Sequence, residues 1–588
     1  MAYLRFAILL LRLGLLCLDS PTMSTRGNER SSDAAVAPEP TYAHGGHFTA
    51  HEQSLTWPAK RATLLWLIPI GIGSAYLIAF LAQLPRDIAQ LSWDPSVASA
   101  FVMPETLVKT GTGGLTLMGS SPQWVSLWFG LLTARLPLHR ELWGVAPTLM
   151  FVLSALIVGW SVAQLACRRT AILAVLIGLV VSPLALTFFM APFSHNTVYP
   201  CTALLGAYLI WLARGAGRRR GTAWAVPPLL GVVVGICLAS DLLLAATALA
   251  PLALTAILAG ARGDRRSRLV AVSALATVVV ALPIAKITAS IMRSAGYVAL
   301  QAPVQRAALS ELPARAKLLF KGLKALFNGY LGTERPGVLH TELGFASDVV
   351  MCAALLALVV VGIRTTVRFA TSGSRKRGVQ PAGELARSLH IIYWVGAAAI
   401  PCAAFWIAGE GPVTTHESYY ATAIFAVAAV IPLLLASGAL ARWLIAAGAS
   451  VLFTASFAGL SDDYVNISAV LARNAKTLTR VARANHVQFG YSNWGDSSGL
   501  TWGTHGQVTI RPVIQCGQGT ALCPGFQALV PSWYVPKQRR TFLLLDTNET
   551  EVTTVPAILG KPIAAYSFES MRMYIFPYDI ASRFGPVE

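Results

Sequence analysis

Residues 222–260 read TAWAVPPLLGVVVGICLASDLLLAATALAPLALTAILAG, 39 residues interrupted by one charge, Asp241. A single helix of that length would measure about 58 Å, close to twice the roughly 30 Å hydrocarbon core of a bilayer. The stretch therefore predicts two spanning helices, 222–240 and 242–260, meeting at a tight turn with Asp241 at its tip. An acidic residue in such a run has to sit where water or a partner reaches it.

The whole chain of 588 residues shares this character, being 55% hydrophobic and only 12% charged, with a mean hydropathy of +0.58. Soluble domains carry roughly a quarter charged residues, so half that value with long uncharged runs excludes an ordinary soluble enzyme. Nine further stretches are apolar enough to cross a bilayer: 62–84, 145–167, 171–190, 196–213, 269–292, 346–363, 391–409, 418–441 and 443–460. The expected fold class is mainly α, a polytopic helical membrane protein with about 11 transmembrane helices, N-terminus in and C-terminus out, and a small α/β extracytoplasmic C-terminal domain. Its parts are a disordered cytoplasmic segment 1–59, a membrane domain 60–460 with outer loops 85–144 and 293–345, and a soluble domain 461–588. Within the first segment, Met23 opens a polar stretch and reads as the start, because 1–22 are basic and apolar without a small-residue cleavage site.

Charge distribution fixes the orientation. Lys60/Arg61, Arg168/Arg169, Arg214/Arg218/Arg219/Arg220, Arg262/Arg265/Arg266/Arg268, the run from Arg364 to Arg387, and Arg442 all fall in loops on the side of the N-terminal segment. These are 19 basic residues against two acidic ones, Asp264 and Glu384, so +17 of the net +19 lies on the inside. The excess is accounted for by topology and anionic lipid, and no basic stripe interleaved with aromatics suggests nucleic acid. The apolar segment 123–136 would spoil this alternation if it crossed, so it is expected to lie as a juxtamembrane helix on the outer face. Six cysteines (Cys17, Cys167, Cys201, Cys237, Cys352, Cys402) lie in apolar segments, whereas Cys516 and Cys523 lie seven positions apart in the outer domain. In an oxidising compartment these two are expected to form a disulfide.

The remaining polar residues crowd the outer side. The first outer loop carries Asp94, a Gly/Thr-rich turn and a Ser-Pro; the second, APFSHNTVYP, holds His195. In the third, RAKLLFKGLKALFNGY is amphipathic, with Leu319, Phe320, Leu323, Leu326 and Phe327 on one face and Lys317, Lys321 and Lys324 on another.

An aspartate shortly after the first span (Asp94), a Gly-containing loop (110–119), a Pro-led juxtamembrane helix (122–136), a span ending in a basic pair (Arg168/Arg169) and one ending in Ser182/Pro183 together resemble the membrane part of GT-C glycosyltransferases. The resemblance covers roughly 62–290 and rests on hydropathy with a few punctuating residues; an acidic pair often seen in the first loop of such families is replaced here by Asp94 followed by Pro95. It implies transfer of a sugar from a polyprenyl-phosphate donor to an envelope glycan, lipid or protein at the outer face of the plasma (inner) membrane. Displacement at the anomeric carbon needs a carboxylate to take the acceptor's proton and cations to hold the departing phosphate. Asp94 would be that base, and Lys286, Arg293, Lys317, Lys321, Lys324 and Arg335 the cations, with His195 and Asp241 lining the same cavity. No His, Asp and Glu set has divalent-site spacing, although carboxylates from separate loops could converge on a divalent metal.

Each residue also has a plainer reading. Asp94 in Trp-Asp-Pro-Ser fits a turn opening, Asp241 a helix N-cap, the three lysines a headgroup-facing stripe, and His195 a hydrogen-bonded structural residue. In the C-terminal domain a helix is expected near 463–485 and strands at 507–514, 541–545 and 571–576. Its aromatics Tyr491, Trp494, Trp502, Trp533 and Tyr534 fit either a sugar-stacking surface or an ordinary core. Two other functions compete: a secondary transporter or lipid flippase, and a non-enzymatic anchor presenting the C-terminal domain.

Overall fold

The computed structural model describes residues 57–585 except 92–115, 119–122, 135, 137–138, 191–194, 216–219, 301–305, 330, 332–337, 376–380, 409–418, 461–464, 518–519, 526–527, 547–551 and 553. The membrane part contains α1 (Trp57–Leu91), α2 (Trp124–Thr133), α3 (His139–Leu165), α4 (Arg168–Leu179), α5 (Pro183–Met190), α6 (Val198–Ala213), α7 (Arg220–Ser240), α8 (Ala250–Arg262), α9 (Arg265–Ser294), α10 (Leu312–Leu326), α11 (Val338–Arg375), α12 (Ala382–Ile407), α13 (Thr422–Val430) and α14 (Ala439–Leu460). A π-helical turn at Ala245–Leu249 leads into α8, and a 3₁₀ turn at Ile431–Ser437 follows α13.

All eleven predicted stretches fall on helix, but they do not make eleven full-length spans. Among the described residues seven helices are long and apolar enough to cross alone, or eight if the bent pair α4 and α5 counts as one. The shortfall has a packing reason. Apolar helices such as α6 and α13 are short, and every residue of α13 is buried. A helix walled by other helices does not have to match the lipid thickness. The bend of 82° between α4 and α5 falls at the Ser182–Pro183 break. Helix breaks at membrane depth leave carbonyls that need donors. Here the Tyr76 hydroxyl, fully buried on α1, donates to the Val181 carbonyl over 2.8 Å, and Ser182 Oγ accepts from the Ala185 amide at 3.1 Å.

Close helix contact is set by small residues. Gly231 and Gly235 lie one turn apart on α7 and face α9, where a Cβ on Gly235 would stand 2.7 Å from the Ala281 carbonyl oxygen. The segment 123–136 does form a short helix, α2, of 10 residues. That is about 15 Å of helix, too short to cross.

The C-terminal domain places α15 (Val465–Ala484) and α16 (Trp494–Gly503) with a six-stranded mixed sheet of β3 (Phe489–Ser492), β4 (Thr509–Cys516), β5 (Ala521–Pro524), β7 (Thr541–Asp546), β8 (Ala564–Phe568) and β9 (Met571–Phe576). The order is β5-β4-β3-β7-β9-β8, with β3 parallel to both β4 and β7 and the other pairs antiparallel. The 2.0-residue alternation of strands divides the side chains. Ile510, Leu544 and Met573 pack with Ala475, Leu478 and Ala482 of α15, while Tyr491, Val513, Leu543 and Phe576 build a second core on the opposite face. A Cβ at Gly490 would run into the Phe542 ring, so a larger residue there would displace a core side chain.

A second sheet joins this domain to the membrane part. β1 (Thr116–Met118) pairs parallel with β2 (Val298–Leu300) and antiparallel with β6 (Ala528–Leu529). Backbone hydrogen bonds thus tie the segment after α1, the segment after α9 and the C-terminal domain on one side of the bundle. A bridge between Arg306 and Ala408 adds the end of α12 to the same side.

Replacing Gly235 by Val is expected to lower stability by about 1–3 kcal/mol through overpacking against α9. Gly71→Ala, where a Cβ meets nothing within 4 Å, is expected to be neutral. Thermal unfolding of the two variants in detergent checks the contrast.

Candidate functional site

The hairpin predicted at residue 241 exists, and its tip is buried. Asp241 is fully inaccessible and ends the turn between α7 and the π-helical turn. Its Oδ1 accepts from the Leu243 amide at 3.1 Å, which is the capping role the sequence allows. Its Oδ2 takes two further partners, His195 Nδ1 at 2.7 Å and Gln123 Nε2 at 3.2 Å. Both partners have left-handed backbone, φ 59 at His195 and φ 53 at Gln123, which turns each side chain back toward the hairpin. The Gln123 amide donates to the Ser240 carbonyl at 2.8 Å, and the Val125 amide to Ser240 Oγ at 3.0 Å. The start of α2, the turn before α6 and the α7 hairpin are therefore fastened at one point.

A carboxylate on Nδ1 fixes the tautomer of a neutral imidazole, leaving Nε2 as the acceptor nitrogen. His195 also meets the Tyr419 ring edge-on, 5.3 Å between centroids. Around the pair, Gln123 Oε1, Asn196 Oδ1 and Thr197 Oγ1 are buried without a hydrogen-bond partner among the described residues. Buried acceptors of this kind ask for donors from water or from a hydroxyl-rich ligand.

The other expected residues are placed differently. Asp94 and Arg335 lie outside the described residues. Lys286 and Arg293 sit on α9 and are exposed, so they do not point into the cluster at Asp241. Lys317 and Lys321 are exposed on α10, whereas Lys324 is bound to Asp348 with 2.6 Å between Nζ and Oδ2. The amphipathic helix itself is docked. Leu323, Leu326 and Phe327 are buried, Phe320 remains 48% exposed, Arg315 Nη1 donates to the Ala408 carbonyl, and Trp406 Nε1 donates to the Leu312 carbonyl at 2.9 Å. Among the described residues no group of three or more His, Cys, Asp and Glu converges.

In the C-terminal domain Cys516 and Cys523 form a disulfide across the β4–β5 hairpin, with Cα atoms 5.9 Å apart. This points to an oxidising compartment. The aromatics do not make an open stacking surface: Tyr491, Trp502 and Trp533 are buried, and Trp494 and Tyr534 are half-buried. Gln123 and Ser240 were not singled out by sequence, since neither carries charge or a motif. The one available signal was position, each lying beside an interruption in an apolar run.

Removing the acceptor at 241 leaves a buried imidazole and a buried amide unpaired. Asp241→Ala is expected to cost about 3 kcal/mol, and Asp241→Asn less, because one oxygen is kept. Thermal unfolding in detergent, read alongside Gln123→Ala, gives the comparison.

No protein-family model, no curated protein and no solved structure matches this chain. The chain is a multi-pass helical membrane protein carrying a C-terminal α/β domain.

Proposed function

We propose that the chain is a membrane glycosyltransferase of the GT-C type. It would move a sugar from a polyprenyl-phosphate donor to an envelope glycan, lipid or protein at the outer face of the plasma membrane. The observation that carries this reading is the polar cluster of Gln123, His195, Asn196, Thr197 and Asp241 at the ends of otherwise apolar helices, with three buried atoms that lack partners among the described residues. Sugar hydroxyls supply the donors those atoms require.

In this reaction the Asp94 carboxylate takes the proton of the acceptor hydroxyl, and that oxygen bonds to the anomeric carbon as the bond to the phosphate oxygen breaks. Polyprenyl phosphate leaves with the electron pair, and the configuration inverts. His195, oriented by Asp241, offers Nε2 to a substrate hydroxyl. Lys286, Arg293, Lys317, Lys321 and Arg335 would meet the phosphate at headgroup level. Lys324, already paired with Asp348, is the weakest of these candidates.

A second reading, a transporter or flippase, draws on the sharp bend between α4 and α5 and on the π-helical turn at Ala245–Leu249, since broken helices mark many transport sites.

Transfer of radiolabelled sugar from defined polyprenyl-phosphate donors in membranes separates the two. Asp94→Asn is expected to lower transfer by about 100-fold or more, the usual scale for a lost general base, with an unchanged melting temperature. His195→Gln is expected to weaken transfer less. Absence of transfer from folded wild-type protein with every donor would put the transport reading first.

A further inference from the structure

A second buried charge lies where the C-terminal domain meets the membrane part. Arg511 on β4 is only 7% exposed and sits in register with Tyr491 on β3. Its guanidinium stacks on Trp533, 3.9 Å from the ring centroid. Burial lowers its pKa to about 10, still far above neutral, so the group stays charged. Yet among the described residues it has no carboxylate partner, and its Nε is buried without a hydrogen bond. Trp533 Nε1 is likewise buried, with no hydrogen-bond partner among the described residues.

The acid that holds Tyr491 is spent elsewhere. Asp579 Oδ1 accepts from the Tyr491 hydroxyl at 3.2 Å and the Ala581 amide at 3.1 Å, and its Oδ2 from the amides of Lys537 and Gln538 at 2.9 and 3.0 Å. The Tyr534 hydroxyl donates to the Pro512 carbonyl at 2.6 Å. A buried arginine left without a counter-charge is strongly unfavourable, so the arrangement asks for an anion.

Location narrows the anion. Trp533 and Val530 pack with Trp124 and Leu127 of α2 and with Met292 and Tyr297 at the end of α9. This cluster is the seam between the domain and the outer ends of the helices, the level at which lipid headgroups lie. A tetrahedral phosphate presents oxygens to both a guanidinium fork and an indole N–H.

We propose that Arg511, with Trp533, binds the phosphate of a lipid at this seam, so that the C-terminal domain reads a headgroup at the outer surface. Phosphate binding needs no sugar transfer, so loss of transfer in Asp94→Asn and loss of this site are separate results.

The test uses the full chain in phosphatidylcholine nanodiscs, with farnesyl phosphate and inorganic phosphate as probes and thermal unfolding as the readout. Farnesyl phosphate is expected to raise the melting temperature of the wild type. Arg511→Met should be as stable as the wild type without ligand, and should bind the probe at least about tenfold more weakly, as expected when a charge-assisted contact is lost. Arg511→Lys keeps the charge but not the fork, and carries the same test if the Met variant does not fold. An equal shift in wild type and variants, or none in the wild type, overturns the proposal. An equal response to inorganic phosphate at the same concentration overturns the lipid source.

Discussion

A carboxylate with no exposed surface, at the end of an apolar hairpin, cannot stand without partners. Asp241 satisfies that demand by drawing in His195 and Gln123, which belong to segments 46 and 118 residues away. The consequence is architectural. The first residue before α2 is fixed to the α7 hairpin, so α2 lies against the bundle in a defined place, and Trp124 and Leu127 face the seam that receives the C-terminal domain. From one buried charge follow the position of the juxtamembrane helix, the polar cluster beside it and the surface on which the domain rests.

The domain in turn ties together one side of the bundle. Strand β6 pairs with β1, and β1 with β2, so loops far apart in sequence share one small sheet. Such pairing puts the segments after α1 and α9 on the same side as the C-terminal residues, in agreement with the basic loops on the opposite side. Among the described residues, the polar cluster at Asp241 and the seam at Trp533 therefore lie on the same side of the bundle. The proposed transfer reaction and the proposed phosphate contact at Arg511 both draw on that placement.

Much of this was legible in the sequence, for physical reasons. Hydropathy located the eleven apolar stretches that fall on helix, amphipathic spacing located α10, and the Asp241 interruption located the hairpin. Cys516 and Cys523 are close in sequence, so their bond follows from a local hairpin. Hydropathy counts apolar residues but not continuity, which is why the stretch 171–190 reads as one span although it bends at Ser182–Pro183. Strand β3 is four residues long and hydrogen-bonds to strands distant in sequence, so no local pattern announces it. The lysine stripe on α10 looked uniform in sequence, yet among the described residues it is Lys324 that is paired, because its partner Asp348 comes from another helix. Arg511 looked like an ordinary strand residue, and burial, which creates its demand for an anion, arises only when the domain is assembled.

The C-terminal domain is seated on the membrane part through the β1–β6 pairing. The most direct measurement is disulfide trapping of a Thr116→Cys, Leu529→Cys double variant, whose two positions are paired in register, with an engineered protease site between them. Oxidised membranes should retain one full-length band after cleavage, which separates into two fragments on reduction, while each single variant gives two fragments throughout. Two fragments from the oxidised double variant, in folded protein, would contradict it.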